Sequence, residues 1–420
     1  MLRKNIVITK RKKKKKNKPL SIILGLFLII VLGLFFLNKK FLPKINYIDK
    51  NIEKVFALSE NYLLFSDGEK QFNLNLEKNI YHEVKFNLEE KRVVFIFDEK
   101  NILFQDENVI ENTIGDRVEI ENLQSISIKD GYIIVKVDEK YGVYDNRLKP
   151  IIPIEYAHIS KGESLFLAED KNGKYGYLNL KGEIQIPFQY DIANLDKDGE
   201  VIVNKDGKVG IIDNNNKAKI ELKYDALVSL YPYTLTKSED DFYLYSPDLS
   251  KKKLDISWGG FYNGETLFYE KDSKFGLMKK DGEKLTKNIY EELGQRNGDI
   301  IITKKDNKYS FIDQNGIESP NSYDYIFPIG NNFYMAGYDE DNSAVILNCY
   351  GSKILYEDSY NGYQEINKEY LIATNDENSK LLNKFGKFID NIDGIVAKNE
   401  NWLVYINNFG VNYVSLRSEI

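Results

Sequence analysis

The chain has 420 residues, rich in Tyr (30) and Phe (23) and poor in Pro (9), Met (3) and Trp (2), a composition that favours β-strands. Its formal charge of −6 is unevenly distributed. Residues 1–40 hold twelve Lys and Arg but no Asp or Glu, so the rest of the chain holds 46 basic and 64 acidic side chains, a net charge of −18. This acidity excludes nucleic acid as the partner of the main domain, because phosphate binding requires a basic face.

The N-terminal residues predict a membrane anchor. A basic tail, residues 1–19, precedes Leu20–Leu37, which contains eighteen residues and no charge. As a helix this segment would rise about 27 Å, close to the thickness of the hydrocarbon layer. The alternative is a cleaved signal peptide, but the flank Asn38–Pro43 contains no small-x-small cleavage site. We therefore expect an uncleaved single-pass signal-anchor helix.

The flanking charges predict the orientation of this anchor. Ten basic residues precede the apolar segment, and three follow it closely, Lys39, Lys40 and Lys44. Basic residues are retained on the cytoplasmic side of a membrane. We expect the N-terminus inside and residues 38–420, the β-repeat domain, outside the cytoplasm.

A unit of about 34 residues recurs through the rest of the chain. Its most regular marker is a Lys-aromatic-Gly segment, and the glycines Gly142, Gly176 and Gly210 are spaced 34 and 34 apart, with Gly276 a further 66 residues on. A fixed period of this size indicates stacked supersecondary units. An apolar strand opens each of about eleven copies: Tyr62–Phe65, Val93–Phe97, Tyr132–Val137, Leu165–Ala168, Val201–Asn204, Tyr233–Thr236, Thr266–Tyr269, Ile300–Thr303, Phe333–Ala336, Tyr370–Thr374 and Trp402–Ile406.

The rest of each unit predicts an antiparallel meander. Turns such as Lys205-Asp206-Gly207-Lys208 are strong hairpin signals, because both turn residues need positive φ. The Lys-aromatic-Gly strand follows, then a second turn, an alternating strand such as Ile184–Pro187, and a Tyr-Asp pair such as Tyr190-Asp191. Three or four short strands per unit are typical of a propeller blade, so we predict an all-β, propeller-like array.

The two ends of the array suggest that it closes on itself. The last copy stops after the hairpin formed by Trp402–Ile406 and Val411–Leu416, whereas Ile45–Asp49 and Val55–Leu58 resemble the second half of a unit. One end could complete the other and remove both exposed sheet edges. Eleven copies exceed the usual four to eight blades, so an oversized ring, two propellers and an open β-solenoid or superhelix all remain open.

At these motifs the chain resembles the bacterial WG-repeat (KWG-like) family. The match is close from Lys174-Tyr175-Gly176 through Tyr190-Asp191, fair in three other copies, and clearest over residues 140–325. The signature Trp is replaced throughout, for example by Tyr141, Val209 and Phe275. The resemblance implies a repetitive β array, often exported or membrane-linked, and it implies no particular biochemical activity. It also points to a bacterial cytoplasmic membrane as the location of the anchor.

Residues that could carry chemistry are few. The two histidines, His82 and His158, lie near no Cys or second His, and the single cysteine, Cys349, excludes an intrachain disulfide and a Cys-based metal site. Hydrolase and nucleotide-binding motifs are absent from the sequence. We expect a non-enzymatic protein without catalytic residues or a cofactor, and structural roles for the two histidines and Cys349.

Two acidic loops, Asp196–Glu200 and Asp339–Asn342, contain oxygen ligands of the kind that bind calcium. Neither completes a calcium-loop spacing, so we interpret both as turns and expect no metal. The repeated tyrosines could stack on sugar rings, but their periodicity favours the core of the blades.

These observations predict a membrane-anchored scaffold that binds protein partners at the cell envelope. The alternative is a carbohydrate- or cell-wall-binding module, and a hydrolase on a propeller scaffold is a third interpretation. The identity of the partner is not predicted.

Overall fold

The computed structural model describes residues 43–420 apart from 86–90, 263–265, 295–299, 314, 339–343, 349, 357–359, 377 and 418–420. The anchor segment Leu20–Leu37 lies outside these residues. Within the described part of the chain, no helix is long and apolar enough to cross a membrane. Residues 46–420 form one compact unit.

This unit is an all-β propeller of eleven small antiparallel sheets, or blades. Among the described residues, nine blades have four strands and two have three. We number the blades along the chain and the strands within each blade 1 to 4. The prediction of a β array of meander repeats is confirmed, and of the predicted architectures the oversized ring is the one found.

Blades 1 to 5 are regular four-stranded meanders. Their strands are β2 (Lys54–Ser59), β3 (Tyr62–Ser66), β4 (Gln71–Asn75) and β5 (Ile80–Glu83); β6 (Arg92–Ile96), β7 (Ile102–Asp106), β8 (Val109–Asn112) and β9 (Arg117–Glu119); β10 (Leu123–Lys129), β11 (Tyr132–Val137), β12 (Lys140–Tyr144) and β13 (Pro150–Tyr156); β14 (His158–Lys161), β15 (Phe166–Glu169), β16 (Tyr175–Leu178) and β17 (Ile184–Tyr190); β18 (Ile192–Ala193), β19 (Glu200–Lys205), β20 (Lys208–Asp213) and β21 (Ala218–Tyr224).

Blades 6 to 11 continue the meander, and blades 7 and 8 have three strands each. Their strands are β22 (Ala226–Leu230), β23 (Tyr233–Ser238), β24 (Asp241–Tyr245) and β25 (Lys251–Leu254); β26 (Trp258–Phe261), β27 (Thr266–Lys271) and β28 (Lys274–Lys279); β29 (Glu292–Leu293), β30 (Ile300–Lys305) and β31 (Lys308–Asp313); β32 (Tyr325–Pro328), β33 (Tyr334–Gly337), β34 (Ala344–Leu347) and β35 (Lys353–Tyr356); β36 (Gly362–Asn367), β37 (Tyr370–Thr374), β38 (Ser379–Asn383) and β39 (Phe388–Ile392); and β40 (Gly394–Lys398), β41 (Trp402–Asn407), β42 (Gly410–Ser415) and β1 (Ile45–Tyr47).

Ten of the eleven apolar strands predicted from the sequence are second strands, which are buried on both sides by the neighbouring blades. The exception is Val93–Phe97, which forms the first strand of blade 2. The second strand there is β7, whose Ile102, Leu103 and Phe104 are almost fully buried. The two strands are both apolar and adjacent, so the pattern alone could not assign their order.

The ring is closed by the fourth strand of blade 11, which comes from the start of the domain. β1 pairs with β42, and Ile48 N donates to Val411 O at 3.0 Å. Trp402 and Val404 of blade 11 pack in one cluster with Leu63 and Phe65 of blade 1. The predicted closure is therefore confirmed for Ile45–Tyr47. The segment Val55–Leu58 was wrongly included in it, because it belongs to the first strand of blade 1.

The Lys-aromatic-Gly motif is explained by a bulge in the fourth strand. In blade 4, Tyr175 pairs with Tyr190 and Tyr177 pairs with Ile186. A step of two residues along the third strand therefore corresponds to a step of four along the fourth. The bulge accommodates a proline that has no ladder donor. It also brings the fourth strand against Gly176, where a Cβ would lie 2.9 Å from Ile186 O. The glycine is thus required by close backbone approach.

The strand order gives the ring two different faces. One face carries the 1–2 loops and the 3–4 turns, and we call it the 3–4 face. On it, Gly182 in the 3–4 turn of blade 4 packs against Ile151 in the fourth strand of blade 3. Gly316, in the turn after the third strand of blade 8, packs in the same way against Leu285, which follows the third strand of blade 7. The opposite face, the 2–3 face, carries the 2–3 turns and the connections between blades.

Candidate functional site: an apolar patch on the innermost strands

The first strands of the blades lie nearest the axis of the ring. This follows because first strands approach one another across neighbouring blades, as β2 does with β6 and β40, and β22 with β26. The inner wall of the ring is therefore formed by the edge strand that begins each blade. A side chain that is exposed there is accessible from the central opening.

Three successive first strands, in blades 5, 6 and 7, and the 1–2 loops that follow two of them expose large apolar side chains. We call these side chains the inner patch, and they are Ile192, Leu195, Val228, Tyr231 and Trp258. Ile192 is 61% exposed and Trp258 is 49% exposed. This apolar surface is in contact with water in the free protein. Covering it with a partner would contribute about 25 cal/mol per Å² to the free energy of binding. The patch is therefore suited to binding.

Trp258 is held in place by blade 6. Its ring lies 6.3 Å from the ring of Phe242 in an edge-to-face arrangement, and Lys237 Nζ lies 6.0 Å from the Trp258 ring. One side of the indole is thus fixed by contacts, while about half of its surface stays accessible. A fixed, half-exposed aromatic side chain is typical of the residues that dominate binding energy at interfaces.

A cleft between blades 5 and 6 continues the patch onto the 3–4 face. It has two adjoining parts of 230 and 310 Å³, which share Glu200, Ile211 and Tyr231. Leu195 lines one part and Leu249 the other. The cleft therefore extends the inner patch from the central opening outward.

One ion pair lies between the two parts of this cleft. Lys219 Nζ donates to Glu200 Oε1 at 2.6 Å, and this hydrogen bond raises the pKa of Lys219. Lys197 and Asp198 flank the first part. The polar groups carry both signs of charge, so the cleft favours neither a strongly acidic nor a strongly basic ligand.

The repeated tyrosines are part of the core, as the periodicity predicted. Tyr190, Tyr224, Tyr290 and Tyr323 are buried. The Tyr190 hydroxyl donates to Asn216 Oδ1 of the next blade at 2.6 Å. Burial raises the pKa of Tyr190 and of Tyr290, so both hydroxyls remain protonated donors. These side chains join blades and are not accessible to a sugar ring.

Asp196 of the first acidic loop has a structural role. It is 3% exposed. Its Oδ2 accepts hydrogen bonds from Ser164 N at 2.7 Å and Ser164 Oγ at 2.6 Å, and its Oδ1 accepts one from Leu165 N at 3.1 Å. The carboxylate therefore ties blade 5 to the 1–2 loop of blade 4, and its oxygens are already engaged. In the described part of the chain, no group of three or more His, Cys, Asp or Glu could hold a metal ion.

The histidines lie apart from each other. His158 Nε2 lies 2.7 Å from Ser160 Oγ, and its ring packs edge-on against Tyr141. His82 lines a polar pocket of 350 Å³ between blades 1 and 2, together with Glu99 and Thr113. Asp339–Asn342 and Cys349 lie outside the described residues.

The inner patch could not be predicted from the sequence. A weak signal was present, because Trp258 is one of only two tryptophans in the chain and is followed by Gly259 and Gly260 in a short strand. Ile192 and Val228 look like ordinary strand residues. Their exposure is a property of the assembled ring, in which they lie on edge strands.

No family model and no curated protein matches this sequence. Among solved structures, the chain is similar to one described as a crystal structure of the eukaryotic initiation factor, with 12% identity, a TM-score of 0.36, and coverage of 75% of this chain and 90% of that chain. It is also similar to the computationally designed Ika8 protein, with 11% identity, a TM-score of 0.30, and coverage of 72% and 98%. BamB from Moraxella catarrhalis gives 13% identity, a TM-score of 0.24, and coverage of 69% and 95%. Similarities at this level carry no argument about activity.

Proposed function

We propose that this protein is a non-enzymatic scaffold, anchored in the cytoplasmic membrane of a bacterium, that binds a protein partner through the inner patch. The observation that carries the proposal is the exposure of five large apolar side chains, three on successive innermost strands and two in the 1–2 loops that follow them. The propeller fold is compatible with this role, because a ring of blades presents a large continuous surface.

The chemistry of the patch favours a protein over a glycan. Ile192, Leu195 and Val228 are aliphatic, and aliphatic side chains gain free energy only from covering apolar surface. Sugar binding would instead need exposed aromatic faces together with directional polar groups. Tyr231 and Trp258 supply aromatic faces, so a carbohydrate ligand is kept as the second candidate.

Crosslinking in cells tests the partner. A photoreactive benzoylphenylalanine at Trp258 of the full chain should give an adduct with one protein species. The same residue at Phe388, which is similarly exposed at 48% but lies on a fourth strand, should not. The double substitution Ile192→Asp and Val228→Asp should abolish the adduct. Equal adducts at both positions would reject the inner patch, and glycan binding that is lost in Trp258→Ala would favour the second candidate.

The location is tested separately. The apolar segment and its flanking charges support an orientation with residues 46–420 outside the cytoplasm. Protease added to spheroplasts with an intact membrane should then digest these residues. Full protection of the repeat region would contradict the proposed location.

A further inference from the structure

The polypeptide enters the propeller at its 3–4 face. Tyr47, at the end of β1, lies beside Gly410, at the start of β42, because a Cβ on Gly410 would lie 2.9 Å from Cε2 of Tyr47. The two strands are therefore antiparallel, and β1 starts where β42 ends. In the other blades that position is the 3–4 turn. Arg417, just after β42, pairs with Glu77 in the 3–4 turn of blade 1 at 2.7 Å, which confirms the assignment.

The 3–4 turns of this face carry exposed apolar side chains. Among the described residues, six blades expose an apolar side chain in the turn after their third strand: Ile114, Leu180, Leu249, Ile317, Tyr350 and Phe385. Ile317 is 66% exposed and Phe385 is 52% exposed. These turns do not need apolar residues, because turns favour Gly, Asn, Asp and Ser. Their recurrence around the outer rim calls for a broad apolar or amphipathic partner.

Basic side chains accompany these turns. Lys181 follows Leu180 and Lys387 follows Phe385 by two residues, whereas Lys384 is paired with Glu369 at 2.9 Å. The acidic residues of the turns are mostly engaged locally: Asp213 Oδ1 accepts hydrogen bonds from Asn215 N and Lys217 N, both at 2.9 Å. Similar contacts are made by the aspartates that open the turns of other blades, Asp145 and Asp313. The rim therefore combines apolar tips with lysines and with exposed acidic side chains such as Glu183 and Glu318.

We propose that the 3–4 face docks onto the surface of the lipid bilayer, with the apolar turn tips in the interface and the lysines at the headgroups. This inference rests on the proposed anchor. Residues 38–44 separate Leu37 from β1, and seven residues span at most about 25 Å, so the 3–4 face cannot move far from a membrane that holds the anchor. Apolar side chains at an interface enter it by about 5–10 Å, and lysines add attraction to anionic headgroups.

The docking also constrains the partner. Leu195 and Tyr231 of the inner patch lie in 1–2 loops on this same face. The 1–2 loops are nearer the axis than the turns and carry acidic residues such as Asp98, Glu163 and Asp198. The bilayer contact is thus formed by the rim, and a partner that reaches the inner patch lies at the membrane surface.

Depth-dependent quenching tests the docking. The full chain with Cys349→Ala is reconstituted in vesicles of phosphatidylcholine and phosphatidylglycerol, with a bimane label on Ile317→Cys. The matched control carries the label on Phe409→Cys, because Phe409 is 83% exposed in the 2–3 turn of blade 11, on the opposite face. The label at position 317 should shift its emission to the blue and lose fluorescence when spin-labelled lipid is added, and the label at position 409 should do neither.

The outcomes separate the docking from the anchor. If the protein floats with the vesicles but neither label is quenched, the anchor holds and the docking is wrong. Quenching at position 409 without quenching at position 317 would place the opposite face on the membrane and overturn the proposal. If the full chain does not float with the vesicles, the anchor fails and the docking fails with it. A variant with Leu180→Ser, Ile317→Ser and Phe385→Ser, labelled at Leu249→Cys, should lose the quenching that Leu249→Cys shows alone.

Discussion

Lys174 Nζ lies 2.5 Å from Asp191 Oδ1, so the first residue of the Lys-aromatic-Gly motif is bonded to the last residue of the Tyr-Asp motif. Asp191 Oδ2 also accepts a hydrogen bond from Asp206 N at 2.6 Å, in the 2–3 turn of the next blade. The same arrangement recurs at Lys208 and Asp225, 2.6 Å apart. The repeated acid therefore joins one blade to the next, which explains why the two motifs occur together.

The first prediction concerns acid stability. The Lys174 ammonium and the Asp206 amide lower the pKa of Asp191. The hydrogen bond to Asp191 in turn raises the pKa of Lys174. An acid whose folded-state pKa is lowered stabilises the fold above its unfolded pKa of about 3.9, and this contribution is lost as the pH falls through the lower folded value. When the pH falls from about 7 to about 3, the free energy of unfolding should therefore decrease less in Asp191→Asn than in the parent.

Urea unfolding at the two pH values measures this difference. Lys174→Met should have a similar effect, and the double variant should add little to either single one, because both substitutions remove the same ion pair. A parental pH dependence in Asp191→Asn would show that the ion pair contributes nothing to the acid sensitivity of the fold.

The second prediction concerns the motif glycine. In Gly176→Ala the new Cβ would lie 2.9 Å from Ile186 O and from the Phe188 ring, so the bulge of the fourth strand must shift. Overpacking of this kind costs about 1–3 kcal/mol. Gly394→Ala is the matched control, because a Cβ there meets nothing within 4 Å. Thermal or urea unfolding should show the loss in the first variant only, and equal stability of the two would reject the packing explanation.

The sequence predicted those features that every blade shares. The period, the hairpin turns and the buried tyrosines recur because each blade must pack against two neighbours in the same way. Features that belong to one blade were harder to predict. Val93–Phe97 was assigned to the wrong strand of blade 2, and the exposed side chains of Ile192 and Val228 have no local signal. Their accessibility depends on how neighbouring blades pack, and the sequence of one repeat does not show this.

The interblade ion pairs were also not predicted, for a related reason. Lys174 and Asp191 are separated by sixteen residues, and a bulge of unpredictable length lies between them. In a chain with 58 basic and 64 acidic residues, many pairings are compatible with the pattern. Only the register of the strands selects one of them.

The third prediction concerns Asp196. Asp196→Ala leaves Ser164 N, Ser164 Oγ and Leu165 N without their acceptor in a buried site. Each unsatisfied buried group costs about 1–3 kcal/mol, so the variant should be much less stable than the parent. Asp198→Asn, on the exposed side of the same loop and able to keep its φ of 51°, should change stability by about 0.5 kcal/mol or less. Because the Asp196 oxygens are engaged by these donors, EDTA should leave the melting temperature unchanged, and a rise of several degrees with calcium would show that the loop binds a cation.

The fourth prediction uses the two tryptophans as a matched pair. Trp402 is buried between blades 11 and 1, and its Nε1 donates to Asn61 Oδ1 at 3.0 Å. Trp402→Ala should cost about 3–5 kcal/mol. Trp258→Ala should cost about 1 kcal/mol or less and affect binding instead, because Trp258 is half-exposed. Urea unfolding of both variants, followed by the fluorescence of the remaining tryptophan, measures the difference, and similar costs would contradict the separate roles of closure and binding.

The fifth prediction concerns closure of the ring. Deleting residues 400–420 removes β41 and β42, so β40 and β1 lose their partners and Leu63, Phe65 and Leu74 of blade 1 lose their cover. Exposure of a sheet edge and an apolar face together should cause aggregation or loss of cooperative melting. In an open array the terminal unit touches only one neighbour, so the same deletion would cost little. Deleting only residues 418–420 is the control, and a soluble 400–420 deletion with near-parental melting would reject the closed ring.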